Sequence, residues 1–320
     1  MSSRARLARL ARLARVVAFL FTWKALARAG AVLGFIAGSV LRIRRSMVTS
    51  AMTRAGVPDA ERVATSMYRD LGAGVFELLW LAGKGDAERA DALREHVVLD
   101  DALLAEIDAA CARGPLIFAA SHTANWELVA FGAAQALEAR GRRLAVVVKP
   151  QSVGVFDAFC TRLRQACGVV LVAPEGAFGA ARRLLAAGDV VAMPIDQVPG
   201  RTKHGIQLSF LGAPAHADRS IATLAKATGA TLLVVGASRD GRMQRVHLLG
   251  ALRADDAPDG ATSWIASATR EATRLLEAFV ASHPSSWLWM HRRWRAPFEQ
   301  GRDKRGRASA GSLVATGHPG

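Results

Sequence analysis

A histidine and a glutamate five positions apart are the residues of this 320-residue chain best suited to proton transfer. His122 and Glu127 lie in the segment SHTANWE, between an apolar run and an amphipathic one. An imidazole titrates near neutral pH and can act as a general base, while a carboxylate on its other ring nitrogen fixes the tautomer. On one continuous helix the two side chains would lie about 140° apart, so they meet only where the chain bends. The spacing predicts a general base at a strand-to-helix loop; a structural histidine satisfied by a carboxylate is the alternative.

Motifs of covalent catalysis and of nucleotide binding are absent from the sequence. No G-x-S-x-G elbow, Walker A loop or G-x-G-x-x-G loop occurs in it. Because no serine or cysteine obviously completes a nucleophile triad, the pattern favours direct attack by a substrate hydroxyl without a covalent enzyme intermediate.

The remaining histidines and the cysteines have spacings that match no metal-ligand or redox pattern. We therefore expect structural roles for them, no metal site and no cofactor, with cysteines that remain reduced in a cytosol-facing protein. The residues considered are His204, His216, His291, Cys111, Cys160 and Cys167.

Short apolar runs alternate with helical patterns on both sides of the His122 segment. This alternation predicts an α/β fold with a largely parallel central sheet flanked by helices. Strands are predicted at 116–120, 144–148, 169–172, 190–193, 232–235 and 244–249. Helices are predicted from Pro58-Asp59 to Gly83, from Asp100 or Asp101 to Gly114, and at 126–140, 153–166, 178–187, 217–228 and 261–281.

The formal net charge of +15 comes entirely from the two ends of the chain. Residues 1–45 hold ten basic side chains and no acidic one, and residues 291–320 hold seven basic and two acidic ones. A neutral body with cationic ends is typical of a protein that binds an anionic membrane surface. The same distribution argues against a nucleic-acid partner, which needs basic residues across the body.

The first 45 residues also predict an N-terminal hydrophobic membrane-associating helix. Two apolar runs, 16–23 and 29–41, are separated by Lys24 and Arg28. Cations inside the stretch argue against a plain spanning helix, so a tilted or interfacial anchor is favoured. A buried core helix with solvated arginines remains the alternative.

Three segments follow from these patterns. Residues 1–45 are predicted to be a basic and hydrophobic anchor, and residues 46–298 a single α/β domain. Residues 299–320, which are polar, basic and rich in glycine and serine, are predicted to be a disordered tail.

Two sequence blocks carry a specific family resemblance. The form H-x-x-N-W-E at 122–127 resembles the H-x4-[DE] motif of the lysophospholipid acyltransferase superfamily, in the branch of the late lipid A acyltransferases (lauroyl and myristoyl transferases). The segment WLWMHRRW at 287–294 is similar to the C-terminal signature of that branch. The resemblance extends from about residue 16 to 297.

Two intermediate blocks fall in the same order. Arg164 precedes Gly168 as an arginine precedes a glycine in the family's second block, and the helix, glycine and strand around Gly188 lead to Asp196. Ala124 stands where a glycine is usual, which is the one departure in the His122 segment.

The resemblance implies transfer of an acyl chain from acyl carrier protein to a hydroxyl of a membrane glycolipid, most closely a lipid A precursor, at the cytoplasmic face of the inner membrane. His122 would be the general base and Glu127 its orienting partner. Arg164, Asp196 and Asn125 would bind the head group or hold the loops. The cationic ends fit this activity because acyl carrier protein and anionic lipid are both acidic.

Arg292 and Arg293 in the C-terminal block have two compatible interpretations. They bind a phosphate of the substrate, or they lie at the membrane surface with the neighbouring indoles as interfacial anchors.

Two other functions stay open at this point. The first keeps the chemistry but uses acyl-CoA or another glycolipid, such as a phosphatidylinositol mannoside. The second is a catalytically silent membrane-surface adaptor whose cationic ends are its working parts.

Overall fold

The computed structural model describes residues 14–148, 154–200, 204–256 and 261–295, and nine strands and eleven α-helices lie within them. The strands are β1 Val97–Leu99, β2 Leu116–Ala120, β3 Leu144–Val147, β4 Val169–Val172, β5 Val190–Pro194, β6 Gly205–Phe210, β7 Ala213–Asp218, β8 Thr231–Asp240 and β9 Met243–Leu252. The helices are α1 Ala14–Leu20, α2 Trp23–Phe35, α3 Arg45–Arg54, α4 Ala60–Ala82, α5 Asp86–His96, α6 Asp101–Arg113, α7 Trp126–Glu138, α8 Gly154–Ala166, α9 Ala177–Ala186, α10 Ser220–Thr228 and α11 Ala261–Ser282. The tail predicted at 299–320 lies outside the described residues.

A seven-stranded sheet in the order β1-β9-β8-β2-β5-β3-β4 forms the centre of the fold. Its neighbouring strands are parallel except β8 and β9, which form an antiparallel pair. Strands β6 and β7 form a separate antiparallel hairpin. The predicted α/β fold with a largely parallel sheet is confirmed.

The sheet separates two hydrophobic cores. Ile117 of β2 packs in one core with residues of α11, whereas Phe118 packs in the other with residues of α7. Successive side chains of a strand point to opposite faces, so a strand covered on both sides reads as a continuous apolar run. This double burial explains why the strands of the sheet could be predicted from short apolar runs.

The predicted helix at 217–228 begins instead at Ser220, because residues 217 and 218 belong to β7. Ala213, Ala215 and Ala217 alternate with more exposed residues along this strand. Such alternation is typical of a strand, but alanine side chains are small and give only a weak contrast in hydrophobicity along the sequence. The hairpin β6–β7, helix α5 and the short strand β1 were not predicted.

Helix α2 packs closely against α4 through glycines. A Cβ atom at Gly30 would lie 2.4 Å from the Gly72 carbonyl oxygen, and one at Gly34 would lie 2.0 Å from the Tyr68 carbonyl oxygen. Only glycine allows the two backbones to approach this closely. One face of α2 is therefore fixed to the body of the protein.

The opposite face of the N-terminal helices is apolar and exposed. Phe19 is 87% exposed, and Val32, Leu33, Val40 and Leu41 are each at least half exposed. Within the described residues no single helix has the length and apolarity for a membrane crossing. Helix α1 and the segment Trp23–Val40 have the required length and apolarity only when they are taken together, and the chain bends by 115° between them.

Candidate active site

The loop between β2 and α7 carries His122 at the carboxyl end of a central strand. Reactive groups of parallel α/β sheets gather at this edge. The C-terminal segment fixes the loop: Leu288 N–H donates to the His122 carbonyl at 3.0 Å, and Ala124 N–H donates to the Ser286 carbonyl at 2.7 Å. On the other side, Thr123 Oγ1 accepts the N–H of Ala237 on β8 at 2.9 Å.

Ala124 adopts a left-handed backbone conformation with φ of 51°. An L-residue pays about 1–2 kcal/mol for this conformation, whereas glycine adopts it freely. The departure noted in the sequence therefore changes the residue without changing the turn.

Asp196 is the carboxylate that holds His122. Asp196 Oδ1 lies 2.9 Å from His122 Nδ1, and Oδ2 accepts the backbone N–H of His122 at 2.8 Å. Oδ2 also accepts the indole N–H of Trp287 at 3.0 Å. The second ring nitrogen of His122, Nε2, makes none of these contacts and lies 3.5 Å from the Gln197 amide nitrogen.

The charges of this pair stabilise each other. Burial is the largest single influence and would lower the pKa of His122, but the charge and hydrogen bond of Asp196, together with the charge of Glu127, outweigh it and raise that pKa above its ordinary value. Burial alone would raise the pKa of Asp196, but His122 and the other donors hold it well below its usual range. Asp196 is fully buried and ionised, so it orients the imidazole and stabilises its protonated form.

Glu127 has a different partner from the one predicted. Arg164 of α8 donates through Nε to Glu127 Oε2 at 2.8 Å and through a second nitrogen to Oε1, and both side chains are buried. Glu127 influences His122 through its charge, which also raises the pKa of His122.

The predicted hydrogen-bonded pair of His122 and Glu127 is therefore corrected to His122 and Asp196. The reason is the register of the sheet: Ala120 of β2 is paired with Pro194 of β5, so the residues two positions further on meet. Glu127 instead begins α7 and faces α8. The apolar runs before His122 and Asp196 place both residues at the carboxyl edge of the sheet, but they do not show that the two strands are neighbours.

Asn125 is held by protein groups rather than left open to a ligand. Its side chain caps α7, with Oδ1 3.5 Å from the N–H of Leu128, and its Nδ2 donates to Glu77 Oε2 at 3.0 Å. Glu77 is fully buried and forms two hydrogen bonds with Arg239. Glu77 and Arg239 support the loop, and no motif in the sequence indicates either residue.

Arg292 and Arg293 lie in different environments. Arg292 is exposed, whereas Arg293 is 1% exposed, donates to the His216 carbonyl and lies 4.9 Å from the centre of the Phe210 ring. Burial lowers the pKa of Arg293 to about 10. Arg293 is therefore not presented at the surface of the protein.

The tryptophans of this block are core residues. Trp287 and Trp289 are both 0% exposed, and their indole N–H groups donate to Asp196 and to the Pro284 carbonyl. Their interpretation as interfacial membrane anchors is wrong, because the indole of Trp287 is used to hold the site carboxylate.

An apolar cavity of about 600 Å³ lies beside His122. Glu127, Arg164 and Gln197 line it together with His122, and every strand of the seven-stranded sheet contributes at least one residue to the remaining wall. Helix α7 closes it with Val129, Ala130 and Ala133. Its apolar lining includes Leu99, Leu103, Ile107, Phe118, Val146, Val169, Ala192, Val235 and Val246.

Comparison with known families shows that the chain is an acyltransferase, an enzyme with an acyl donor and a lipid acceptor. Residues 16–296 match the bacterial lipid A biosynthesis acyltransferases. The chain belongs to this family, which is membrane-associated, and the resemblance noted in the sequence is confirmed. A search of curated proteins finds no match.

Proposed function

We propose that the protein transfers a fatty acyl chain from acyl carrier protein to a hydroxyl of a lipid A precursor, with His122 as general base. The observation that carries the proposal is the position of His122: it is held by Asp196 and lines an apolar cavity of about 600 Å³. Cavities of this size and lining bury most of a drug-sized ligand, which is comparable in size with a single fatty acyl chain. The activated chain and the base therefore share one chamber.

The hydrogen bonds of Asp196 support one direction of proton transfer. Because His122 Nδ1–H donates to Asp196, the lone pair is on Nε2, which takes the proton of the acceptor hydroxyl. The hydroxyl oxygen attacks the thioester carbonyl, forming the C–O bond and then breaking the C–S bond. The leaving thiolate receives the proton from the imidazolium.

Arg164 and Glu127 have a supporting role in this proposal. Their bidentate pair neutralises two charges in the wall of the cavity, where a bound hydrocarbon chain would exclude water from an unpaired charge at a large cost in free energy. The negative charge of Glu127 also helps His122 to hold a proton during the reaction. Both effects depend on charge and position, and neither requires direct contact between Glu127 and His122.

The N-terminal helices support docking to the cytoplasmic face of the inner membrane. Their exposed apolar face carries Phe19, Val32 and Leu33, and the exposed cations Lys24 and Arg28 lie on the same helix as the last two. Apolar burial combined with attraction to anionic lipid is how interfacial helices bind. An enzyme bound at the membrane surface encounters its lipid acceptor by diffusion within the plane of the membrane.

A reconstituted assay tests the proposal. Purified protein is incubated with an acyl carrier protein thioester and a lipid A precursor, and the mass of the lipid product is measured by mass spectrometry. The expected product carries one added acyl chain, and His122→Ala lowers the rate by about 10²–10⁴-fold because the base is lost. His204→Ala, a histidine bonded to Ser220 outside the cavity, is the matched control.

The same assay distinguishes the alternatives. A preference for acyl-CoA, or for a phosphatidylinositol mannoside acceptor, would keep the chemistry and change the substrates. If the protein bound vesicles without consuming thioester, and His122→Ala bound them equally well, the adaptor function would be supported and the enzymatic function would be rejected.

A further inference from the structure

A second imidazole lies in the site and has no part in the proposed reaction. The ring of His291 is packed edge-on against that of His122, with their centroids 4.7 Å apart, and it lines the same cavity. Among the described residues, the Nε2 atom of His291 is buried and has no hydrogen-bond partner. A buried polar atom without a partner costs free energy and calls for an explanation such as an ion or a water molecule.

Three potential metal ligands converge at this point. One ligand atom from each of His122, Asp196 and His291 lies within 4.8 Å of the other two. Ligand atoms around a tetrahedral zinc ion are about 3.4 Å apart, since each lies roughly 2.0–2.2 Å from the metal. Small side-chain rotations close the remaining gap, and two imidazoles with one carboxylate are a common zinc ligand set.

The surroundings of Asp196 suit a metal ligand as well. Its Oδ2 atom is held by Trp287 and by the backbone of His122, which fixes the plane of the carboxylate. Metal ligands are oriented by such outer hydrogen bonds. The three residues are 74 and 95 positions apart in the chain, so no local spacing could have predicted the site.

We propose that His122, Asp196 and His291 bind Zn²⁺ and that the bound ion blocks acyl transfer. If zinc binds Nε2 of His122, it occupies the lone pair of the base. If zinc binds Nδ1, the single ring proton moves from Nδ1 to Nε2. Either way His122 cannot take a proton from a hydroxyl. The inhibition rests on the proposed function, whereas the binding does not.

Binding is tested first on the full-length protein without any substrate. Calorimetric titration with Zn²⁺ is expected to show one site, and His291→Gln is expected to weaken binding at least 10-fold because a ligand is lost. His204→Gln, which removes an imidazole outside the cluster, is expected to leave binding unchanged. Circular dichroism of both variants checks that they are folded.

A spectroscopic measurement on the wild-type chain needs no variant. X-ray absorption of the zinc-loaded protein is expected to report two imidazole nitrogens and a carboxylate oxygen. Coordination by a single imidazole, the absence of stoichiometric binding, or equal affinity in folded His291→Gln would overturn the site.

Inhibition is tested last, in the acyl-transfer assay. Equimolar Zn²⁺ is expected to abolish turnover and a chelator to restore it. Zinc binding that depends on His291, in a chain without acyltransferase activity, would keep the metal site and reject the proposed function. Full activity of the zinc-saturated enzyme would reject the inhibitory role and leave the function intact.

Discussion

Two buried carboxylates flank His122, and the difference between their partners separates their roles. Asp196 is bound to an imidazole, which gains and loses a proton near neutral pH. Glu127 is bound at both oxygens by Arg164, whose guanidinium stays charged throughout. The first pair can respond when a proton moves, and the second cannot. Proximity in sequence pointed to Glu127 as the partner of His122, but the structure pairs His122 with Asp196, and the proposed mechanism therefore uses Asp196.

The largest expected effect comes from Asp196→Asn. An asparagine that keeps its oxygen toward Trp287 and the His122 N–H turns its amide N–H₂ toward Nδ1. This arrangement moves the ring proton of His122 to Nε2, so the base is in the wrong tautomer. We expect a fall in kcat on the order of 10³–10⁴-fold, measured in the acyl-transfer assay.

Asp189→Asn is the control for this variant, because Asp189 is a buried carboxylate paired with Arg143 outside the cavity. Equal losses in the two variants would show that the effect of Asp196→Asn is general destabilisation.

Breaking the second pair is expected to cost stability first. Glu127→Gln leaves the Arg164 guanidinium buried without its counter-charge, which costs about 3–5 kcal/mol of unfolding free energy. Replacing both residues, as in Glu127→Leu with Arg164→Met, restores most of that stability because no charge stays unpaired. Denaturant titration measures both effects.

The folded fraction of the double variant is expected to lose far less activity than the roughly 10²–10⁴-fold that loss of a general base costs, since Glu127 acts on His122 only through its charge. If stable Glu127→Gln protein instead lost as much activity as Asp196→Asn, Glu127 would act in the chemistry and the contrast between the carboxylates would fail.

The smallest expected effect is a shift of the pH profile. Only neutral His122 takes a proton, so kcat/KM rises with pH through its pKa, which lies above the ordinary 6.5. Asp196→Asn removes the larger charge that raises this pKa and leaves burial, which lowers it, so the midpoint falls below 6.5. Glu127→Gln moves the midpoint in the same direction by less. Imidazole NMR titration measures all three midpoints.

The same shift affects stability with a defined sign. Because the folded-state pKa of His122 is raised, its stabilisation is complete below pH 6.5 and is lost as the pH rises through the folded value. A midpoint in Asp196→Asn equal to that of the wild type would show that Asp196 does not control His122.

The sequence predicted the elements better than their contacts. The apolar runs before His122 and Asp196 identified β2 and β5, because strands covered on both faces are apolar throughout. That these strands are neighbours depends on the order of the sheet, which no single run encodes. The sequence therefore indicated both His122 and Asp196 as site residues, but it could not predict the hydrogen bond between them.

The roles of Trp287 and Glu77 were also not predicted, because they too depend on contacts with residues that are distant in the sequence. Trp287 fitted an interfacial anchor by its type and its basic neighbours, but its burial depends on packing against distant residues. Glu77 has no motif around it, although a charged residue among the buried positions of α4 was a detectable signal. Its partner Arg239 lies 162 positions away.

The bond between Trp287 and Asp196 has a consequence for synthesis on the ribosome. These residues are 91 positions apart, so at typical elongation rates Asp196 is made roughly 5–18 s before the indole that holds it. During that interval the nascent chain has its acidic group but lacks the donor that orients it. In the proposed mechanism, acyl transfer therefore cannot begin until translation has nearly completed the segment shared with the family.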